Sequence, residues 1–410
     1  MKKLILSLLL IALQSTTAQE VWVPNPGSDN VSVIDVETDT VLDTITVGDT
    51  PTFVAFSPNG LIAYVTNQGS DNVSVVDFST RSVIATITVG DFPRGVAFSP
   101  DSSIAYVGNS GTPDNISVID VSTNTVVATI ATASSAVTQI AFAPDGVLAY
   151  ATLSSSGIVN VIDVATSTII GTITVVFPLF IAISENGTRA YVANTGASDN
   201  VSVIDLATNM VIATITVGDN PSGIAISPDQ TIAYVGNGGT PDNISVIDLS
   251  SNTVIATITV GDFPVGIAFS ADGTKAYTNN SIDDNVSVID VATHTVIDTI
   301  VVGDLGAGAC WLAASIVIPP SSDVTGKSLK NIFLTTTEYY NQIIWTPVAG
   351  VESYTIYRDA ALTDVAGVSS TTQFLDRNRN RGQSYSYYLT FTEGSGTVIL
   401  LGSTTVYVEK

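Results

Sequence analysis

The sequence predicts an all-β chain: a seven-bladed β-propeller closed by strands from its two ends, followed by a small β-sandwich. Three observations lead there. The tripeptide V-I-D (once V-V-D) recurs at Asp35, Asp77, Asp120, Asp163, Asp205, Asp248 and Asp290, at spacings of 42, 43, 43, 42, 43 and 42 residues. So regular a period marks a stacked repeat architecture. Each repeat holds four short runs rich in Val, Ile, Thr, Tyr and Phe, bounded by Gly, Pro, Asp, Asn or Ser. That is four strands and four turns, the pattern of a propeller blade. Finally, the repeats begin and end partway through a unit, as a ring closed by its own termini requires.

The unit around Asp248 shows the elements in order. An inner strand a (P-S-G-I-A-I-S from Pro221) is followed by strand b (I-A-Y-V-G-N to Asn237). Strand c is N-I-S-V-I-D to Asp248, and strand d is T-V-I-A-T-I-T from Thr253. No sustained 3.6-residue period occurs between residues 21 and 318, so no helix is expected there. The first blade opens at strand b, Val21-Trp22-Val23, and a lone strand a, Gly308 to Leu312, is expected to complete it. In that alignment Trp311 falls in the column of Phe56, Phe98, Phe142 and Phe269, and Cys310 in the column of Ala55 and Ala97.

Residues 1–18 read as a secretory signal: Lys2 and Lys3, an apolar stretch from Leu4 to Leu13, and a small-residue site at Thr16-Thr17-Ala18. The stretch is too short to span a bilayer, so no membrane span is expected after cleavage. The propeller is assigned to residues 19–318, a linker at Pro319-Pro320-Ser321-Ser322 to residue 323, and the sandwich to 324–410.

Tyr64-Val65-Thr66-Asn67 spells Y-V-T-N, and the copies read Y-V-G-N or Y-V-A-N beside S-P-D-G, D-N-V-S-V-I-D and V-G-D-x-P segments. On these motifs residues 21–318 resemble the YVTN-repeat, YncE-like seven-bladed propellers. The resemblance implies an exported, periplasmic or surface protein and is nearly silent on activity. The tail places Trp345 on one alternating run and Tyr354, Tyr357, Tyr385 and Tyr387 on later ones, and it resembles a fibronectin type III domain. Trp345 would be its core Trp and Tyr385 its corner tyrosine. The segment Arg377-Asn378-Arg379-Asn380-Arg381 departs from that family's usual approach to the corner.

Charge narrows the function. Residues 19–318 carry 29 acids against Arg81, Arg94, Arg189 and Lys275, while the tail carries 8 acids and 7 bases. A propeller this acidic repels phosphate backbones, so no nucleic-acid partner is expected. Weak attraction of divalent cations to the acidic face is expected instead. The single cysteine, Cys310, rules out an intramolecular disulfide and reads as a small core residue rather than a reactive thiol.

The seven V-I-D aspartates read as turn residues, since an Asp there accepts backbone N–H groups in the c–d turn. The b–c and d–a loops share one face, which collects the Asp-Asn pairs and the aspartates of V-G-D. One sector departs from this acidic template. Ala131-Thr132-Ala133-Ser134-Ser135 and Val175-Val176-Phe177-Pro178 replace V-G-D, and Leu153-Ser154-Ser155-Ser156-Gly157-Ile158 lacks the Asp-Asn pair. Either drift or an uncharged recognition patch explains it. The candidate partner-binding residues are Ser135, Ser155, Val175, Val176, Phe177 and Phe180. At the channel mouth Arg94 stands in a column of Thr52, Thr138, Leu179, Ser222, Val265 and Ala307, where it grips an anionic ligand or pairs with Asp91 or Asp49.

Catalytic machinery is sparse. The one histidine, His294, sits in a c–d turn and is expected to be solvated. No metal or cofactor is expected. The expected function is exported, non-enzymatic binding of a protein or a cell-surface or matrix component, or surface architecture. The alternatives are a lactonase-like or other hydrolase working in the channel, and a cation-dependent carbohydrate or matrix binder.

Overall fold

The computed structural model describes residues 19–132, 136–305 and 313–315, and the backbone of seven strands between Phe333 and Tyr407. The signal segment, the linker, Cys310, Trp311 and Trp345 lie outside the described residues. Among those described, no helix is long and apolar enough to cross a membrane.

Residues 18–317 form one unit of seven four-stranded antiparallel sheets, the blades of a propeller. Blade 2 is typical: strands Pro51–Phe56, Ile62–Asn67, Asn72–Asp77 and Ser82–Thr88, in order from the axis outward. Strands b and c are buried on both faces because each blade is sandwiched between two others. Strand d is exposed except for one Ile near its end, such as Ile87. The rim therefore shows Val and Ile side chains such as Ile84, Val127 and Ile255.

Blade 1 is closed by the two ends of the chain. Strand Ala313–Ser315 pairs with strand Glu20–Asn25, with Ala313 opposite Trp22 and Ala314 opposite Val21. The closing strand thus lies further along the chain than Gly308 to Leu312. Ala55 is opposite Tyr64 in blade 2, so Ala313, not Cys310, occupies the Ala55 column, and Ala314, not Trp311, the Phe56 column. The link from the V-G-D aspartate is the cause: six residues separate Asp49 from Ala55, and nine separate Asp304 from Ala313.

Blades meet through the large residue of strand b and the aromatic residue of the next strand a. Tyr64 packs on Phe98 at 4.5 Å between centroids, Tyr106 on Phe142 at 4.8 Å and Tyr234 on Phe269 at 4.8 Å. Trp22 takes the same place in blade 1, edge-on to Phe56 at 5.1 Å and stacked on Phe78. The hydroxyls reach further, to the c–d turn of the next blade. Tyr64 donates to Asn124 (2.7 Å), Tyr150 to Asn209 (3.1 Å) and Tyr277 to Asp39 (2.8 Å). Tyr106 meets Ser167, and Tyr234 meets His294 Nδ1 at 2.7 Å, so His294 is an interface residue rather than a freely solvated one. Burial raises all five phenols above their ordinary value, which keeps them protonated as donors.

In the tail, strands Phe333–Thr337, Tyr340–Ile344 and Gln373–Arg377 form a three-stranded antiparallel sheet. Val365–Ser369, Tyr354–Tyr357, Ser384–Thr392 and Val398–Tyr407 form a four-stranded one.

Candidate functional site

The repeated polar residues are largely committed to turns. Every V-I-D aspartate accepts a backbone N–H two or three residues on, as Asp35 does from Thr38 and Asp248 from Ser251. Hydroxyl donors first, then backbone N–H groups, hold Asp120, Asp163, Asp205 and Asp290 below the usual carboxylate range and push Asp248 down to about 2. On the opposite face, Asp29, Asp71, Asp199, Asp242 and Asp284 each cap the N–H of the residue that follows a V-G-D. The buried Asn column clamps the same hairpins: Asn67 Nδ2 donates to Asn72 Oδ1 at 2.7 Å and Ser74 Oγ at 2.9 Å. Spread over seven blades and spent on backbone, these acids do not converge. Among the described residues no three acidic, His or Cys side chains come together to hold a cation.

Two aromatic rings stack in the interior of the ring. Phe53 of blade 2 and Phe180 of blade 5 stack at 5.8 Å with planes 19° apart, both nearly buried. In the same column Gly95 and Gly223 are small because adjacent strands approach closely, while Gln139 Oε1 accepts from the Ile181 N–H. A Cβ on Gly95 would lie 2.6 Å from Gln139 Cα, and one on Gly223 2.2 Å from Val265 O.

This decides the fate of the expected patch. Phe180 is an interior plug, not a surface anchor. Val175 is also buried, 6 % exposed, and packs in the core of blades 4 and 5. Val176 and Phe177 do face solvent, at 49 % and 51 % exposure, and Ser155 is exposed in the neighbouring turn. Ser135 lies outside the described residues. Phe177 has φ of 48°, and its counterparts Phe92 and Phe263, at 53° and 58°, share both the left-handed backbone and the exposure. The Pro that follows each of the three already aligns them in the sequence. The turn beside Phe92 supplies Asp71 as a cap, whereas the turn beside Phe177 carries only Ser and Gly.

Arg94 sits on strand a of blade 3. It makes no ion pair with Asp91 or Asp49, and its Nε is buried without a hydrogen-bond partner. Burial alone lowers its pKa, although the guanidinium stays charged.

Sequence reasoning missed a second kind of site. Between blades 5 and 6, on the face of the a–b and c–d turns, lies a cavity of about 470 Å³ bordered by Arg189, Tyr191 and Asp248.

No curated protein matches the chain. Among solved structures it is similar to a hydrazine synthase of Kuenenia stuttgartiensis: 26% identity, TM-score 0.60, covering 66% of this chain and 92% of that one. It is similar to a functionally unknown protein from Desulfotomaculum acetoxidans: 18% identity, TM-score 0.64, covering 71% and 98%. It is also similar to a putative 6-phosphogluconolactonase from Bacteroides fragilis: 15% identity, TM-score 0.63, covering 74% and 99%. The last two likenesses speak to fold alone. The YncE-like beta-propeller model matches residues 16–315, and with seven blades and four Y-V-x-N strands in place, the chain belongs to that family.

Proposed function

We propose that the chain is an exported, non-catalytic binding or surface-architecture protein whose rigid propeller presents loops to a protein, cell-surface or matrix partner. The observation that carries this reading is the outward exposure of Val176 and Phe177 on a face otherwise set with aspartates. A left-handed phenylalanine costs about 1 kcal/mol or more in backbone strain, and one that stays in solvent returns little to folding. The acidic surround favours a neutral or basic partner. Residues 1–18, read as a signal sequence, support export. The tail, read as a fibronectin type III-like sandwich, would space or dock the disc. Val176→Asp restores acid to the loop without touching the buried Val175. It should weaken capture of the partner and leave the melting temperature unchanged; undiminished capture would sink the proposal.

One observation favours a second reading, a lactonase-like or other hydrolase in the channel. Arg94 is a part-buried guanidinium whose Nε has no partner and which pairs with no carboxylate among the described residues, and one structural neighbour is described as a putative 6-phosphogluconolactonase. Hydrolysis of a phosphorylated sugar lactone that disappears in Arg94→Ala would establish it; no hydrolysis would discard it. The weak cation attraction of the acidic face belongs to the first reading and predicts a small, salt-sensitive rise in melting temperature with calcium.

A further inference from the structure

At six of the seven blade interfaces a side chain of strand b bonds to the next c–d turn, and at the seventh that bond is missing among the described residues. At each of the six, strand b of one blade reaches the left-handed residue of the next c–d turn. Tyr64, Tyr106, Tyr150, Tyr234 and Tyr277 meet Asn124, Ser167, Asn209, His294 and Asp39. In the first interface Glu20 meets Arg81 at 2.6 Å. The seventh pair is Tyr191 and Asn252. Among the described residues no hydrogen bond joins the two, and Asn252 Oδ1 is buried with no hydrogen-bond partner. The cavity of about 470 Å³ opens at this interface.

The groups left uncommitted around it are specific. Arg189 spends one Nη on Leu249 O in a long bond of 3.4 Å. Asn186 accepts through Oδ1 from Ser184 and Thr188, which leaves its Nδ2 protons to donate. Asp248 uses Oδ1 for all four of its turn bonds, which leaves Oδ2 to accept. The cleft therefore offers donors from Arg189, Asn186 and Tyr191, and an acceptor in Asp248 Oδ2.

These groups select a ligand class. A carboxylate or phosphate brings no donor for Asp248 Oδ2 and would face its charge in a chain of net charge −24. An amine or metal cation would face Arg189. A neutral ligand that both donates and accepts at adjacent atoms satisfies the set, and vicinal hydroxyls do so. The volume falls within the range of small-ligand pockets. We propose that the cleft between blades 5 and 6 binds a neutral saccharide, its hydroxyls donating to Asp248 and accepting from Arg189 and Tyr191. This site is on the opposite face from Val176 and Phe177 and stands independently of them.

Saturation-transfer NMR on the full-length chain tests it, with glucose, galactose, mannose and N-acetylglucosamine as probes at about 10 mM. At least one should show transfer from the protein, without added calcium. Tyr191→Phe removes only a hydroxyl not bonded to Asn252, so the melting temperature should hold while affinity falls about fivefold to tenfold. Arg189→Gln should weaken binding similarly, and Val176→Asp should leave it intact. Transfer to none of the four probes overturns the proposal. So does affinity unchanged in both Tyr191→Phe and Arg189→Gln, or binding lost in Val176→Asp but kept in Tyr191→Phe.

Discussion

Replacing Glu20 by Ala should destabilise ring closure measurably. Glu20 is 2 % exposed on the strand that pairs with Ala313–Ser315. One oxygen accepts from Arg81 at 2.6 Å and the other from the indole N–H of fully buried Trp22 at 2.8 Å. Losing the second bond orphans a buried donor, worth about 1–3 kcal/mol. The first is a charge-assisted bond to a partner 30 % exposed, so it is discounted to about 1 kcal/mol. The total is about 3 kcal/mol. For a propeller of residues 18–317 the unfolding entropy is about 0.6 kcal/mol/K, so the melting temperature should fall by about 5 °C. Glu20→Gln keeps a carbonyl acceptor for Trp22 and should fall by about 2 °C. Differential scanning calorimetry with Trp fluorescence as a second probe would measure both. A shift below about 1 °C for the alanine variant, or equal shifts for the two, would refute the assignment of the cost to the indole bond.

Acid should unfold the propeller in a particular window. Asp120, Asp163, Asp205, Asp248 and Asp290 titrate lower in the folded chain than in the unfolded one, so their contribution is complete above about pH 5 and is lost as pH falls through about 4 to 2. A melting temperature that rises on acidification through that window would contradict the turn assignment. Phe53→Ala and Phe180→Ala should each cost about 3–5 kcal/mol, and the double variant less than their sum, because each ring is the other's partner. Additive losses in a denaturant-unfolding cycle would show that the rings do not share one plug. A chain ending at Asp304 loses the closing strand and should melt about 5–10 °C lower with Trp22 fluorescence shifted to the red. An unshifted melt would mean that Ala313–Ser315 contributes nothing to the ring.

The V-I-D period and the alternation around it were enough to read seven blades, their strand order and the closure by both ends. These are local: each strand is written in its own residues, and copying repeats the message. The role of the V-I-D aspartates was legible for the same reason, since turn chemistry depends on residues two or three positions apart. The residue-level register of the closing strand was not legible. It depends on a link, Asp304 to Ala313, that departs from the template just where no later repeat exists to check it.

What only the tertiary structure decided lies between blades. Phe53 and Phe180 are three blades apart, and nothing local marks them as one stack rather than two surface rings. Phe177 and Phe180 differ by three residues, yet one faces solvent and the other the axis, because the strand turns inward at Pro178. The open contact of Tyr191 and Asn252 is spelled in the same residue types as the closed contact of Tyr64 and Asn124. Burial and pairing across an interface depend on how whole sheets meet, and the repeat that wrote each blade so clearly carries no record of where one meeting differs from the rest.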